Sequence, residues 1–113
     1  MHEMSICEGL LQIVEDQAVA KNFSEVLKIR LEIGPLAGVE LEALKFSYDV
    51  VRRGTIAEKS ELEIIMLPVN AWCMPCAKVV DVKQRFDACP DCGSYQVEVT
   101  GGDELRIKNM EVN

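Results

Sequence analysis

The stretch Cys73-Met74-Pro75-Cys76, twelve further residues, then Cys89-Pro90-Asp91-Cys92-Gly93 decides how the rest of the chain must be read. Each Cys-x2-Cys makes a tight turn that aims two thiolates at one point. Two such turns on facing loops supply sulfur at four tetrahedral corners, which is what a closed zinc site requires. Pro75, Pro90 and Gly93 are turn formers where such loops need them. Residues 69–100 hold too few core formers to fold as an independent unit. Zinc binding in modules of this kind supplies folding free energy directly, about 10–16 kcal/mol in peptides. The spacing therefore predicts a zinc-ribbon-like module inserted over 69–100, with Cys73, Cys76, Cys89 and Cys92 as Zn(II) ligands. Iron fits the same four-sulfur cage. A disulfide pair suits a secreted protein, but no secretory signal is visible and a fifth cysteine, Cys7, is left over. A redox Cys-x2-Cys opens a helix in a βαβ setting, and no helical pattern follows Cys76. Four sulfurs leave no open position for water, so the site gives shape rather than catalysis.

Outside the module the pattern is regular. Met4, Cys7, Leu11, Val14 and Ala18 recur at three and four, with Leu10 beside them, which predicts a helix from 4 to about 21 with Asn22 as its stop. At that spacing Cys7 reads as a buried small hydrophobe, with a soft auxiliary metal ligand as the minor alternative. Leu27, Ile29, Leu31 and Ile33 alternate with Lys28, Arg30 and Glu32, a half-buried strand ended by Gly34-Pro35. A second helix is expected over 39–53 on the stripe Leu41, Leu44, Tyr48 and Val51, with Gly54 at its C-terminal cap. Leu62, Ile64 and Met66 mark another strand before Pro68. Leu105 and Ile107 share a face from which Met110 and Val112 are out of phase, so a bulge near Asn109 is expected in the last strand. Trp72, just before the first Cys-x2-Cys, is expected to pack the module onto the domain. The order predicts an α+β fold: two helices on a small three-stranded sheet, residues 1–68 plus 101–113, carrying the module over 69–100.

The chain has 113 residues, 49% hydrophobic and 27% charged, the composition of an ordinary globular domain. Its net charge is −7. Four thiolates around one Zn²⁺ make the loaded protein about −9, so phosphate contacts are repelled and neither nucleic acid nor an anionic membrane is the expected partner. No apolar run is long enough to span a bilayer. His2 is the only histidine, which argues against a Ser-His-Asp triad, and no P-loop string occurs.

That histidine stands in Met1-His2-Glu3. The α-amine of Met1, the imidazole and amide nitrogen of His2 and the amide of Glu3 can close fused chelate rings around one ion. Four nitrogens in a plane select Ni(II) or Cu(II) over tetrahedral zinc. Binding displaces protons, so it weakens as pH falls.

Met1-His2-Glu3-Met4-Ser5, the Ile33-Gly34 turn after an alternating strand, Arg53-Gly54-Thr55, the two cysteine pairs, and Glu104-Leu105-Arg106-Ile107 followed by Met110-Glu111-Val112 resemble the HypA/HybF family of hydrogenase nickel-incorporation proteins. The likeness runs in order through essentially the whole chain. It implies a non-enzymatic cytoplasmic metallochaperone that delivers Ni(II) to the large subunit of [NiFe]-hydrogenase, working with a HypB-type GTPase. Some members also serve urease maturation through its accessory proteins. Carried over, the resemblance makes Met1, His2 and Glu3 the nickel site and the four cysteines the Zn(II) site. It places Glu40 where some members carry an acidic residue near the nickel end. This chain has no histidines beside its zinc cysteines, unlike some members. Two rivals stand beside it: a zinc-ribbon adaptor or nucleic-acid module without nickel, and a thiol oxidoreductase using Cys73 and Cys76.

Overall fold

The computed structural model describes residues 2–113. Its elements run α1 (Glu3–Lys21), β1 (Val26–Ile33), α2 (Leu41–Val51), β2 (Glu61–Met66), β3 (Val69–Cys73), β4 (Lys78–Val82), β5 (Val97–Val99) and β6 (Leu105–Val112). Two three-stranded sheets form, in the orders β2-β1-β6 and β4-β3-β5. The fold is α+β, as the periodicity predicts. By its contacts the chain divides into two units: Met1–Leu31, Val39–Ile64 and Ile107–Asn113, and Glu32–Gly38 with Ile65–Arg106. No described helix is long and apolar enough to cross a membrane.

The first unit is held by helix stripes. Cys7, Leu10, Leu11 and Val14 of α1 are buried, and so are Leu44, Ser47 and Tyr48 of α2. Asn22 ends α1 in the left-handed conformation, at φ 58°, where its side chain is tolerated better than most. Cys7 is fully buried and its thiol donates to the Leu44 carbonyl at 3.5 Å. Burial, with Glu3 and Glu8 nearby, pushes that thiol up to about 11, so it stays protonated at neutral pH and acts as a core hydrophobe. The buried hydroxyls of Tyr48 and Ser60 bond to each other, and Ser60 also donates to the Ala57 carbonyl at 2.6 Å. Both groups are therefore satisfied within the core.

In β1, Ile29, Leu31 and Ile33 are buried as the alternation requires. The start of the strand differs. Leu27 is 40% exposed and Val26 is buried instead. Val26 is tied at its N–H to the Ile56 carbonyl at 3.0 Å, which turns the first strand residue inward and slips the phase by one. On the wet face Arg30 reaches Glu63 at 3.2 Å, Asn109 at 2.8 Å and the Glu111 carboxylate. Such half-exposed pairs fix register more than they stabilise. In β6 the burial phase shifts between Lys108 and Met110, where the sequence predicts the break in alternation.

The second unit contains structure that the fading periodicity does not announce. β3 pairs antiparallel with β4, Val69 opposite Val82 and Cys73 opposite Lys78, and with β5, Ala71 opposite Val99 and Cys73 opposite Val97. Beside this sheet two loops interlock. Gly34 donates to the Glu104 carbonyl at 2.8 Å, Leu36 donates to the Gly102 carbonyl at 2.6 Å, and Gly102 donates to the Glu104 carboxylate at 3.0 Å. The backbones approach so closely that a Cβ on Gly34 would lie 2.1 Å from the Gly102 carbonyl oxygen. The Ile33-Gly34 turn is thus a close-approach position, and the blocking atom is backbone that cannot rotate away. Gly34→Ala is expected to destabilise the protein by about 1–3 kcal/mol or more, read as a lowered urea midpoint. An unchanged midpoint would show that the two loops are not locked together.

Candidate metal centre

The two cysteine turns are built alike. Cys73 is the last residue of β3, and the Ala77 N–H returns to its carbonyl at 2.8 Å. In the second turn the Gly93 N–H returns to the Cys89 carbonyl, also at 2.8 Å. In each, the residue after the second cysteine takes a left-handed backbone, Ala77 at φ 52° and Gly93 at φ 77°. Gly93 fits the role foreseen for it. Ala77 holds the same conformation without glycine's freedom, and no sequence signal marks it. Cys89 is further held by its own N–H on the Ser94 carbonyl at 2.8 Å, while the Asp91 N–H points at its sulfur at 3.4 Å. Lys78 and Asp91 form an ion pair at 2.5 Å, linking β4 to the second turn.

The four sulfurs lie within 4.8 Å of one another. Cys73 and Cys92 are 3.6 Å apart, and Cys76 and Cys89 are 4.0 Å apart. A tetrahedral Zn–S₄ centre with bonds near 2.3 Å requires sulfur separations of about 3.8 Å. The donors therefore fit a closed tetrahedral ion, and both sulfur pairs lie far beyond the roughly 2.05 Å of a disulfide. Cys73 and Cys89 are buried with Ala71 and Val80, and Cys76, Val82 and Val97 pack against them. Cage and core are one cluster. Burial alone would raise the Cys89 thiol, but the N–H groups of Cys92 and Asp91 and the thiols of Cys73 and Cys92 outweigh it and bring it down to about 7. Its neighbour Cys76, crowded by the thiols of Cys92 and Cys73, is pushed up to about 12. Four thiols this close cannot all ionise unless a cation joins them. The first cysteine turn leads into β4, not into a helix, so the helix-start setting that activates a redox Cys-x2-Cys is missing there. Among the described residues, this is the one cluster of three or more His, Cys, Asp or Glu side chains close enough to share an ion.

At the other predicted site, Met1 lies outside the described residues. His2 is exposed and caps α1 in an extended conformation, with φ −88° and ψ 100°, and its side chain makes no capping bond. Its carbonyl accepts the first helical bond, from Ile6 at 3.1 Å. The N–H groups of Glu3, Met4 and Ser5 therefore have no partner within the helix. The Glu3 carboxylate accepts from the Glu40 N–H at 3.3 Å, and that backbone bond holds it below the ordinary carboxylate value. Glu40 in turn caps α2, accepting from Ala43 at 2.6 Å and Glu42 at 3.3 Å. The structure thus brings Glu3 and Glu40 together at the start of two helices. The sequence offers Glu40 three residues before Ala43, a capping spacing with an unusual cap residue.

The four-thiol cluster, with its sulfurs at the spacing of a tetrahedral ion, marks the chain as a metal-binding protein. The family profile described as hydrogenase/urease nickel incorporation, metallochaperone, HypA matches residues 1–112. The hydrogenase maturation factor HypA of Alkalilimnicola ehrlichii is 58% identical over 113 residues, covering 100% of both chains. That of Azotobacter chroococcum is 55% identical over 112 residues and 99% of each. The solution structure of the Ni metallochaperone HypA from Helicobacter pylori shares the fold at a TM-score of 0.71 and 22% identity, over 99% of this chain and 97% of that one. This chain belongs to the HypA family of hydrogenase/urease nickel-incorporation metallochaperones, which are maturation factors and not catalysts.

Proposed function

We propose that this chain carries Ni(II) at residues 1–3 and hands it to the large subunit of a [NiFe]-hydrogenase, while Zn(II) stays at Cys73, Cys76, Cys89 and Cys92. The observation that carries the reading is the setting of His2, exposed at the head of α1 with the next amides outside the helical ladder. The Met1 amine, the His2 imidazole and the amides of His2 and Glu3 supply four nitrogens. Using the Glu3 amide breaks no bond of α1. A helix start disfavours a bare cation. Two deprotonated amides neutralise Ni²⁺, so the complex carries no net charge into that field. The Glu3 carboxylate, tied to Glu40, fixes the backbone from which the chelate is built, an outer-shell role.

The division of labour follows the chemistry. Nickel must leave, and a terminus open to a partner allows that. Zinc must stay, and a half-buried four-sulfur cage in a core holds it. The nickel-binding part is residues 1–68 with 101–113, and the zinc part is 69–100. The partners are those of hydrogenase maturation, with a HypB-type GTPase and, where urease is made, its accessory proteins, all in the cytoplasm.

The test is a Ni(II) titration of protein with an unblocked Met1, followed by absorption spectroscopy and metal analysis. One planar, diamagnetic Ni(II) beside one Zn(II) per chain is expected, with nickel affinity weakening as pH falls. No nickel uptake, or nickel displacing zinc from the cysteines, would overturn the reading.

A further inference from the structure

β3 is the middle strand of its sheet, and its two faces differ in kind. Ala71 and Cys73 point into the core with Val80 and Cys89. Trp72 points the other way. It stands directly between Val79 on β4 and Glu98 on β5, and Asp81 shares the same face opposite Asn70. Trp72 is 41% exposed and Val79 56% exposed, and both carboxylates are at the surface. The chain's single tryptophan therefore stands on the face of the sheet opposite Ala71 and Cys73. Lys78, the one cation within β4, sits on the opposite face and is paired with Asp91, and Lys83 follows the end of the strand. Among the described residues, neither Asp81 nor Glu98 takes part in an ion pair.

We propose that this face docks a basic segment of a partner protein, with an arginine or lysine stem laid across Trp72 and Val79 and its charge held by Glu98 and Asp81. An exposed indole attracts a cation through its ring face, and long basic side chains cover apolar surface while keeping the charged head in polar surroundings. Tryptophan and arginine are also the residues that most often dominate binding energy at interfaces. The rest of the molecule agrees in sign: a chain of net charge −7 steers basic partners toward itself and repels acidic ones. A second copy of the chain would bring the same two carboxylates to the contact, like charge against like, which disfavours self-pairing here. The inference stands on the sheet and is independent of where nickel binds.

Because Trp72 is the only tryptophan, its emission reports this face alone. The full chain with its native zinc is titrated with capped hexa-arginine and capped hexa-glutamate. Hexa-arginine is expected to shift and quench the emission saturably, and hexa-glutamate to leave it unchanged. D81N/E98Q is expected to weaken hexa-arginine binding roughly fivefold or more, and W72L, followed by anisotropy of a labelled peptide, by a similar factor. W72F, which keeps a ring, retains most of the affinity. E15Q/E58Q removes the same charge from exposed positions of the first unit and leaves the affinity within about twofold. Zinc content of each variant shows that the sheet is intact, and a variant that loses zinc is set aside in favour of W72F against W72L. Three results would overturn the proposal: equal weakening by the two double variants, binding without a change in Trp72 emission, or self-association that W72L abolishes in sedimentation.

Discussion

His2→Ala abolishes Ni(II) binding in calorimetry while zinc remains at one ion per chain and the thermal unfolding profile is unchanged. The expectation follows from where the side chain stands. His2 is exposed and its imidazole makes no capping bond, so its removal opens no cavity and orphans no donor. The helical bond from Ile6 goes to its backbone carbonyl, which alanine keeps. In the proposed chelate, what is lost is one arm, and with it the ring that would hold the other nitrogens in a plane. The loss should exceed the roughly 10–100-fold that removal of an outer-shell group costs at a metal site. Residues added ahead of Met1 and left uncleaved should do the same by a different route, since they convert the amine into an amide. Glu3→Gln should do far less, because its carboxamide oxygen can still accept the Glu40 N–H. If His2→Ala binds nickel as the parent does, the ion sits elsewhere. If it sheds zinc as well, the two sites are not separate.

The parts of the fold that depend on one repeating face were legible in the residues. Cys7, Leu10, Leu11 and Val14 face the core, as spacing at three and four demands. Ile29, Leu31 and Ile33 do so by alternation. The cysteine cluster was legible because a pair of thiols two residues apart constrains geometry regardless of what surrounds it. The rest was hidden for identifiable reasons. β3 and β4 are short and carry Asn70, Trp72 and Asp81 on one face, so apolar content looks low although alternation is present, as Val69, Ala71 and Cys73 show. Which sheet face Trp72 takes is fixed only by the strand pairing that places Cys73 on the core side. The link between Glu3 and Glu40 joins residues 37 apart through a backbone N–H, which no side-chain pattern encodes. Gly34 reads as a turn former, and its larger duty, a backbone crossing with Gly102, is a tertiary fact.

Cys73→Ser removes zinc and unfolds the β4-β3-β5 sheet while α1 and α2 keep their protection against hydrogen exchange. Cys73 has two duties. It is one of the four sulfurs of the proposed zinc site, and it is a fully buried member of a core whose other buried members are Ala71, Val80 and Cys89. Half of that core is sulfur ligand, and the remaining side chains are small. Burying a valine contributes about 1.5–3 kcal/mol, whereas ordering each residue costs roughly 1.5 kcal/mol. Three short strands whose six valines include only Val69 and Val80 as buried residues cannot close that gap unaided. The ion closes it, at about 10–16 kcal/mol in isolated modules. Serine is nearly isosteric but remains a neutral hydroxyl at this pH, so three thiols are left with an open corner that water can enter. The first unit has its own core in Leu10, Val14, Ile29, Leu31 and Leu44, none of which belongs to the cage cluster. Exchange measured by mass spectrometry should therefore rise across 69–99 and stay slow in the helices. Stoichiometric zinc in the variant, or a sheet that keeps its protection without metal, would show that side-chain packing rather than the ion holds this unit together.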